Sequence, residues 1–397
     1  MKILLISQNF YPELGSAANR AYVIFKLLNK FNNQLNILTT PPSYPTKALF
    51  KKKLYYDDNY INNLESKQIY RLKVNRQKQG SSFFNRILYF IEEFIHLRIF
   101  LKKQTHFYDY IYVSSPNIFI AWATLFFKNN SVKYILEIRD LWPDSVNDIK
   151  GINIKFVMPI LKFLEKKMYN AADFIIVNNL SFQKHIKNKL NSDKPMFYLP
   201  NGVQDAEINS IKKYKNFTAI YTGNIGHAQD VDKLIQIAKK LNEKQIYLIA
   251  IVYGAKAVQF RDSVKDLEYI QIKKPMPRKQ CLIEISKAHI SISLLKSSNV
   301  FLNVLPGKII DAISMGTIPV TNLGGFTKKI INDNNLGIAI YDANIEALLE
   351  KIQKLKVLTE KQREMQNNCI NYRNENLIWE NNIKELQKFL MESDKFE

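Results

Sequence analysis

Lys308 and Asp311 are the residues of this chain whose types and spacing offer chemistry most directly. They lie three positions apart in the segment 305–320, LPGKIIDAISMGTIPV. Three positions place them on one face of a short helix that opens at Pro306-Gly307 and stops at Gly316, with a strand starting at Ile318. Ile309, Ile310, Ala312, Ile313 and Met315 are apolar and read as its buried side. A lysine in the first helical turn opposes the helix dipole unless an anion sits there. An acid one turn later can hold a pair of sugar hydroxyls. Together they suggest a nucleotide diphosphate site, with an ordinary exposed Lys/Asp pair as the alternative.

Three further segments carry candidate groups. The first apolar run is followed by NFYPELGSAAN, where Glu13, Gly15 and Ser16 sit among small residues that let a backbone approach a ligand. A dinucleotide fold wants G-x-G-x-x-G here, and Gly15 alone argues against a nicotinamide or flavin dehydrogenase. A plain tight turn is the other reading. Near the middle, Tyr221-Thr222-Gly223-Asn224-Ile225-Gly226-His227-Ala228-Gln229 precedes a helix from about Asp230. Gly223 and Gly226 free backbone amides at a helix N-terminus, which suits a phosphate. The third, Glu137-Ile138-Arg139-Asp140-Leu141-Trp142-Pro143-Asp144, ends a strand-like run. Asp140 can accept a hydrogen bond from a sugar or act as a base, and Arg139 can meet a phosphate; a structural Arg–Asp pair is the plainer alternative.

The elements that must position these groups alternate along the whole chain. Runs such as KILLISQ, QLNILTT, QIYRLKV, DYIYVSS, KYILEIR and DFIIVNN are separated by helical patterns. Continuous apolar strands between helices predict a parallel sheet covered on both faces. Leu199-Pro200-Asn201-Gly202 breaks the pattern, and the polar stretch 204–216 reads as a linker. The pattern then restarts with TAIYT, QIYLIAIVY, YIQIKK, AHISISLL, TIPVTN and GIAIY. The fold class expected is therefore α/β, with two doubly wound Rossmann-like domains facing across a cleft. The expected boundaries are 1–202, 203–375 and a C-terminal helical segment 376–397, which packs on its own domain or crosses back to the first.

Composition bounds the partners. The 397 residues suggest about two domains. Cys281 and Cys369 are far apart, and five histidines show no ligand spacing, so neither a disulfide framework nor a metal site is expected. Met1-Lys2 runs directly into ILLIS without the pattern of a signal peptide, so a cytoplasmic location is expected. The formal net charge of +21 favours anionic partners. No nucleic-acid motif accompanies it, so nucleic acid is an unlikely partner. Residues 83–103, FFNRILYFIEEFIHLRIFLKK, are too often interrupted by charge to span a bilayer. Their apolar side chains and flanking lysines fit a helix on an anionic membrane surface, or one docked on its own sheet.

With these segments in order, the chain resembles the GT-B glycosyltransferases of family 4, in particular a bacterial WbuB-like subtype. SQNFYPELGSAANRAY, TTPPSYPT, LEIRDLWPDSV, LPNGV, YTGNIGHAQDVDKLI, PMPR and LPGKIIDAISMGTIPV carry the resemblance over nearly the full length. It implies retaining transfer of a sugar, hexosyl or N-acetylhexosaminyl, from a nucleotide-diphosphate donor, a UDP-sugar foremost. The acceptor implied is a lipid-linked or growing surface polysaccharide of O-antigen or capsule type, reached from the inner face of the plasma membrane. By position, Lys308 neutralises the diphosphate, with Gly223, Asn224, Gly226 and Gln229 beside it. Asp311 stands where the family has a ribose-binding glutamate, and Asn303 where many members have an acid. Met276 and Pro277 correspond to the loop that meets the base. Arg139, Asp140, Glu13, Gly15 and Ser16 correspond to the side of the transferred sugar and acceptor. No metal and no cofactor beyond the nucleotide sugar is implied. A nucleotide-sugar epimerase on the same fold and a non-catalytic membrane- or polyanion-binding scaffold are the competing readings.

Overall fold

A computed structural model describes residues 1–31, 33–76, 83–144, 156–208, 211–226, 228–296, 302–342 and 344–393. His227, the 145–146 end of the LEIRDLWPDSV motif and positions 209–210 of the expected linker lie outside the described residues. The chain divides into two compact units, Met1–Pro200 with Glu380–Glu397, and Asn201–Trp379.

The first unit is built on seven parallel strands: β1 (Lys2–Ile6), β2 (Gln34–Thr39), β3 (Ile69–Arg71), β4 (Tyr110–Ser114), β5 (Lys133–Ile138), β6 (Phe174–Val177) and β7 (Met196–Tyr198). Their order is β3-β2-β1-β4-β5-β6-β7. β1, β4, β5 and β6 read as continuous apolar runs because both faces are covered, and nearly every residue in them is buried. The helices are α1 (Ser16–Lys30), α2 (Asn59–Asn62), α3 (Phe83–Gln104), α4 (Ile118–Leu125), α5 (Met158–Ala171) and α6 (Ser181–Lys187). In α1, Ala18, Ala21, Ile24, Phe25 and Leu28 recur at three- and four-residue steps and face the sheet. α3, α4 and α5 connect β3 to β4, β4 to β5 and β5 to β6, each stepping in the same direction. Right-handed crossovers therefore put all three on one face, where α3 packs on α4 and α4 on α5.

The second unit has six parallel strands: β8 (Thr218–Asn224), β9 (Tyr247–Tyr253), β10 (Ile270–Lys273), β11 (Ile290–Ser293), β12 (Ile318–Thr321) and β13 (Ile338–Ala339), ordered β10-β9-β8-β11-β12-β13. Its helices are α7 (Val231–Glu243), α8 (Ala257–Val264), α9 (Arg278–Lys287), α10 (Gly307–Ser314), α11 (Gly325–Asp333), α12 (Ile345–Val357) and α13 (Thr359–Asn376). The core lies between the strands and α7, α8 and α12, through residues such as Leu234, Ile237, Phe260 and Leu348. A final helix, α14 (Trp379–Ser393), falls almost wholly within the first unit. There Phe389 meets Phe174 and Phe197, and Gln387 donates to the Phe31 carbonyl.

Two elements differ from the sequence reading. The polar stretch 204–216 is not a free linker. Lys213 is half-buried in the second unit, where its ammonium donates to the carbonyls of Ala288 (2.7 Å) and Gly316 (3.0 Å) and to Thr317 Oγ1 (3.1 Å). Burial pushes that lysine down to about 8. Lysines can serve such interior carbonyl clusters, so polarity alone does not mark a linker. β7 was not anticipated, being three half-buried residues at a sheet edge.

Candidate active site

In an open doubly wound sheet, ligands settle beyond the carboxyl ends of the strands, where the strand order reverses direction. In the second unit that point lies between β8 and β11, and α10 is the helix that follows β11. The sequence-predicted Lys308 sits in the first turn of α10. Its Nζ donates to the Thr222 carbonyl in a very short contact and to the Asn224 carbonyl at 3.3 Å. It also lies 4.6 Å from the centroid of the Tyr221 ring. Among the described residues no carboxylate forms an ion pair with it. Burial pushes the Lys308 ammonium down to about 8, against small upward pulls from its neighbours. At neutral pH it stays mostly charged, held by carbonyl dipoles and an aromatic face rather than by a counter-ion.

Backbone shape opens the space around that cation. Gly223 has φ +97°, and a Cβ there would come 2.9 Å from Lys308 Nζ. Gly254, φ +104°, lies under the Asn224 side chain, where any Cβ would overlap Asn224 Oδ1. Both positions therefore need glycine. The Gly226 N–H, expected to face a phosphate, donates here to Gln229 Oε1 at 2.7 Å. That amide and Gln229 therefore hold the loop for each other. Asp230 caps α7 by accepting from Lys233 N.

Asp311 lies one turn beyond Lys308, and its Oδ1 pairs with Arg278 Nη2 at 3.0 Å. Arg278 also gives Nε to Glu207 Oε1 at 2.9 Å. Burial lowers the Arg278 pKa, but the two carboxylates more than offset this and hold it above the usual range. Arg278 opens α9 directly after Met276 and Pro277, so the expected base-binding loop is tied to the expected ribose acid by an ion pair. Cys281, one turn on, has its thiol pushed up to about 12 by burial and by Asp311, and remains a thiol. The Arg278 side chain, the Tyr221 ring and Thr222 were not singled out from the sequence. Arg278 stood in the PMPR motif, but nothing local shows its partners at Glu207 and Asp311. Asn303, in the loop before α10, is exposed.

The first unit gathers its predicted residues at the carboxyl ends of β1 and β5. Glu13 is buried and its carboxylate is fully engaged. It accepts from Ser43 N (2.6 Å), Tyr44 N (2.9 Å) and Asn9 Nδ2 (2.7 Å). It thus fixes the loop after β1 to the loop after β2. Gly15 and Ser16 are exposed at the start of α1, where Gly15 occupies the N-cap without a side-chain bond. On β5, Glu137 accepts from Arg20 Nε (2.8 Å), from Tyr112 Oη (2.7 Å) and from Ser114 Oγ. Arg139 follows on the strand end. Burial pushes its guanidinium below its usual range, partly offset by Glu137. Its Nε is buried without a hydrogen-bond partner among the described residues. Asp140, half-buried next to it, partly offsets that charge. Trp142 packs edge-on against Trp122 of α4 at 5.7 Å.

Residues 203–374 match the family model of glycosyl transferases group 1. The match spans nearly the whole second unit, the one that holds Lys308, Gly223 and Asp311. The Escherichia coli (strain K12) protein named "Putative colanic acid biosynthesis glycosyl transferase WcaI" is 20% identical over 395 residues, covering 90% of this chain and 93% of that protein. The structure is similar to sucrose-phosphate synthase (tll1590) from Thermosynechococcus elongatus, with TM-score 0.74, 12% identity and 100% coverage of both chains. It is also similar to Anabaena Alr3699/HepE in complex with UDP-glucose, with TM-score 0.69, 11% identity and coverage of 99% of this chain and 100% of that one. The expected fold class stands: two parallel-sheet Rossmann-like domains of the GT-B type.

Proposed function

We propose that this protein is a retaining group 1 glycosyltransferase. It moves a hexosyl or N-acetylhexosaminyl group from a nucleotide-diphosphate sugar, a UDP-sugar foremost, to a lipid-linked or growing surface polysaccharide. The observation that carries this reading is Lys308: a charged lysine at the switch point of the second sheet, opposite Gly223, held by two carbonyls and the Tyr221 ring with no carboxylate paired to it among the described residues. A diphosphate would replace those carbonyls as its partner, and the dipole of α10 adds to the attraction. The family match over this same unit, the colanic acid name of the Escherichia coli relative and the UDP-glucose bound to HepE support it.

In the proposed reaction the bond from the anomeric carbon to the phosphate oxygen breaks, and its electron pair leaves with the diphosphate. Lys308 takes up that developing charge. The acceptor hydroxyl oxygen bonds to the anomeric carbon on the face the phosphate leaves, and its proton passes to the departing phosphate oxygen. Lys308 here supplies the countercharge that a metal ion supplies elsewhere, so activity is expected to survive a chelator. Asp311, held by Arg278, keeps its other oxygen for a ribose hydroxyl. Arg139 and Asp140 serve the sugar and acceptor side. The protein works as a peripheral enzyme on the cytoplasmic membrane face; no helix among the described residues is long and apolar enough to cross a bilayer.

A thermal-shift screen with UDP-, GDP- and TDP-sugars tests the reading, followed by assay of nucleoside diphosphate release with and without acceptor. Stabilisation by one nucleotide and acceptor-dependent release are expected. Conversion of the nucleotide sugar without acceptor would make the protein an epimerase, and no stabilisation by any nucleotide would make it a scaffold.

A further inference from the structure

The helix α5 is built inside out. Its inward face carries Glu165, which is 0% exposed. That carboxylate binds Tyr169 Oη and His185 Nε2, both at 2.8 Å, and Lys189 Nζ. Its outward face is apolar. Ile160 and Phe163 are 61% and 66% exposed, and Phe156, just before the helix, is 92% exposed. The three-residue step puts Ile160 and Phe163 on one side of the helix, and Phe156 lies in the turn that leads into it. Lys166 and Lys167 continue the same face towards the C-terminal end, and both are exposed. Leaving two phenylalanines and an isoleucine in water opposes the hydrophobic effect unless something apolar covers them.

We propose that this face of α5 is a membrane anchor that inserts into the headgroup region of an anionic bilayer. The charge pattern selects that partner. An apolar stripe ending in lysines is the pattern of a helix lying in the interface plane, with lysines reaching anionic headgroups. The net charge of +21 acts in the same direction. A second copy of the chain would bring two such cationic rims together. The same layer continues the surface. Across α4, helix α3 exposes Ile91, Ile95 and Ile99 at four-residue steps while burying Glu93. The two stripes flank α4 on one side of the sheet. α5 carries the aromatic side chains and is the primary contact, and α3 is the secondary one. The choice of a membrane partner rests on the peripheral reading above, but the site needs no nucleotide or sugar.

The test is flotation of the full chain with vesicles of phosphatidylglycerol and phosphatidylethanolamine, against vesicles of phosphatidylcholine alone, without nucleotide sugar. The protein floats with the anionic vesicles and not with the neutral ones. The combined variant Phe156→Ser, Ile160→Ser, Phe163→Ser loses at least about tenfold in binding. Because these side chains lie in solvent, its melting temperature and its turnover of a water-soluble acceptor stay unchanged. Lys166→Glu with Lys167→Glu also weakens binding and removes most of its salt dependence. Ile91→Ser with Ile95→Ser costs less, about threefold. Unchanged flotation of the triple variant overturns the proposal. So does a dimer in sedimentation velocity that the triple variant dissolves, since that assigns the face to a second copy. Failure here leaves the transferase reading intact, which rests on nucleotide binding instead.

Discussion

Each unit places two cations near the carboxyl ends of its strands, and the two pairs are held alike. In the first unit Arg20 is locked: it and Glu137 are each 1% exposed and meet at 2.7 Å, while the buried Nε of Arg139 has no hydrogen-bond partner among the described residues. In the second unit Arg278 is locked between Glu207 and Asp311, while Lys308 rests on carbonyls. A locked arginine shapes a loop or strand end, because its charge is already satisfied. A loosely held cation keeps its electrostatic attraction for an incoming anion. The locks differ in depth, however. Arg20–Glu137 is sealed, whereas Arg278 and Asp311 each keep 25% of their side-chain surface exposed. The first lock is structural and the second stands at the edge of a binding site.

The largest effect should come from breaking the sealed lock. Glu137→Ala strands Arg20 in the interior and is expected to cost about 3–5 kcal/mol, seen as a lower melting temperature. Asp311→Ala, at a partly wet pair, should cost about 1 kcal/mol or less. Equal losses would remove the distinction between the two. The acid limb gives the sign. Burial raises the Glu137 pKa, but Arg20 and Arg139 more than offset it and hold it low. Its stabilising contribution is therefore full above the unfolded value and is lost as pH falls through the carboxylate range.

Removing the loose cations should harm turnover and spare the fold. Lys308→Ala is expected to lower kcat/KM by about a hundredfold, the cost of losing one preorganised group at a developing anion. Its melting temperature should hold or rise, because a largely desolvated ammonium with no carboxylate paired to it among the described residues is a burden in the folded state. Turnover within a few fold of the parent would leave Lys308 a structural residue like Arg20. Arg139→Gln should follow with a smaller loss, about tenfold to a hundredfold, as expected for one hydrogen bond to a charged group. Melting temperature separates the cases again: a fall comparable with that of Glu137→Ala would make Arg139 part of the lock.

The sequence made the strands legible because burial on both faces leaves continuous apolar runs, as in KILLI and YLIAIVY. It placed α10 from the break at Pro306-Gly307 and the stop at Gly316, where φ is +62°. Lys308 was readable because a lysine in a first helical turn conflicts with the dipole. The locks were not readable. Arg278 and Asp311 are far apart in sequence, as are Arg20 and Glu137, and no local pattern tells which charges meet. The part played by Gln229 escaped for a similar reason: a glycine's free amide is visible as a possibility, and the side chain that occupies it is not. The exposed face of α5 was missed because its pattern is amphipathic in either orientation, and only burial tells which side is out.

The pH dependence of nucleotide binding gives the smallest effect and the finest test of how loosely Lys308 is held. In the free protein burial places its pKa near about 8, and a bound diphosphate raises it by supplying a negative charge. Affinity for UDP should therefore be level below about pH 8 and fall as pH rises, by about tenfold between pH 7 and 9 if only the protonated lysine binds. Binding near pH 9 should take up a proton, which calorimetry in buffers of different ionisation enthalpy detects. The Cys281 thiol lies too high to titrate in this window, and Arg278 stays charged throughout. Lys308→Arg keeps its charge at all these pH values and should flatten the profile even where it binds more weakly, since a guanidinium cannot copy the compact ammonium. A lysine locked like Arg20 would show no such slope, so a level profile in the parent protein would end the distinction between locked and loose cations in the second unit.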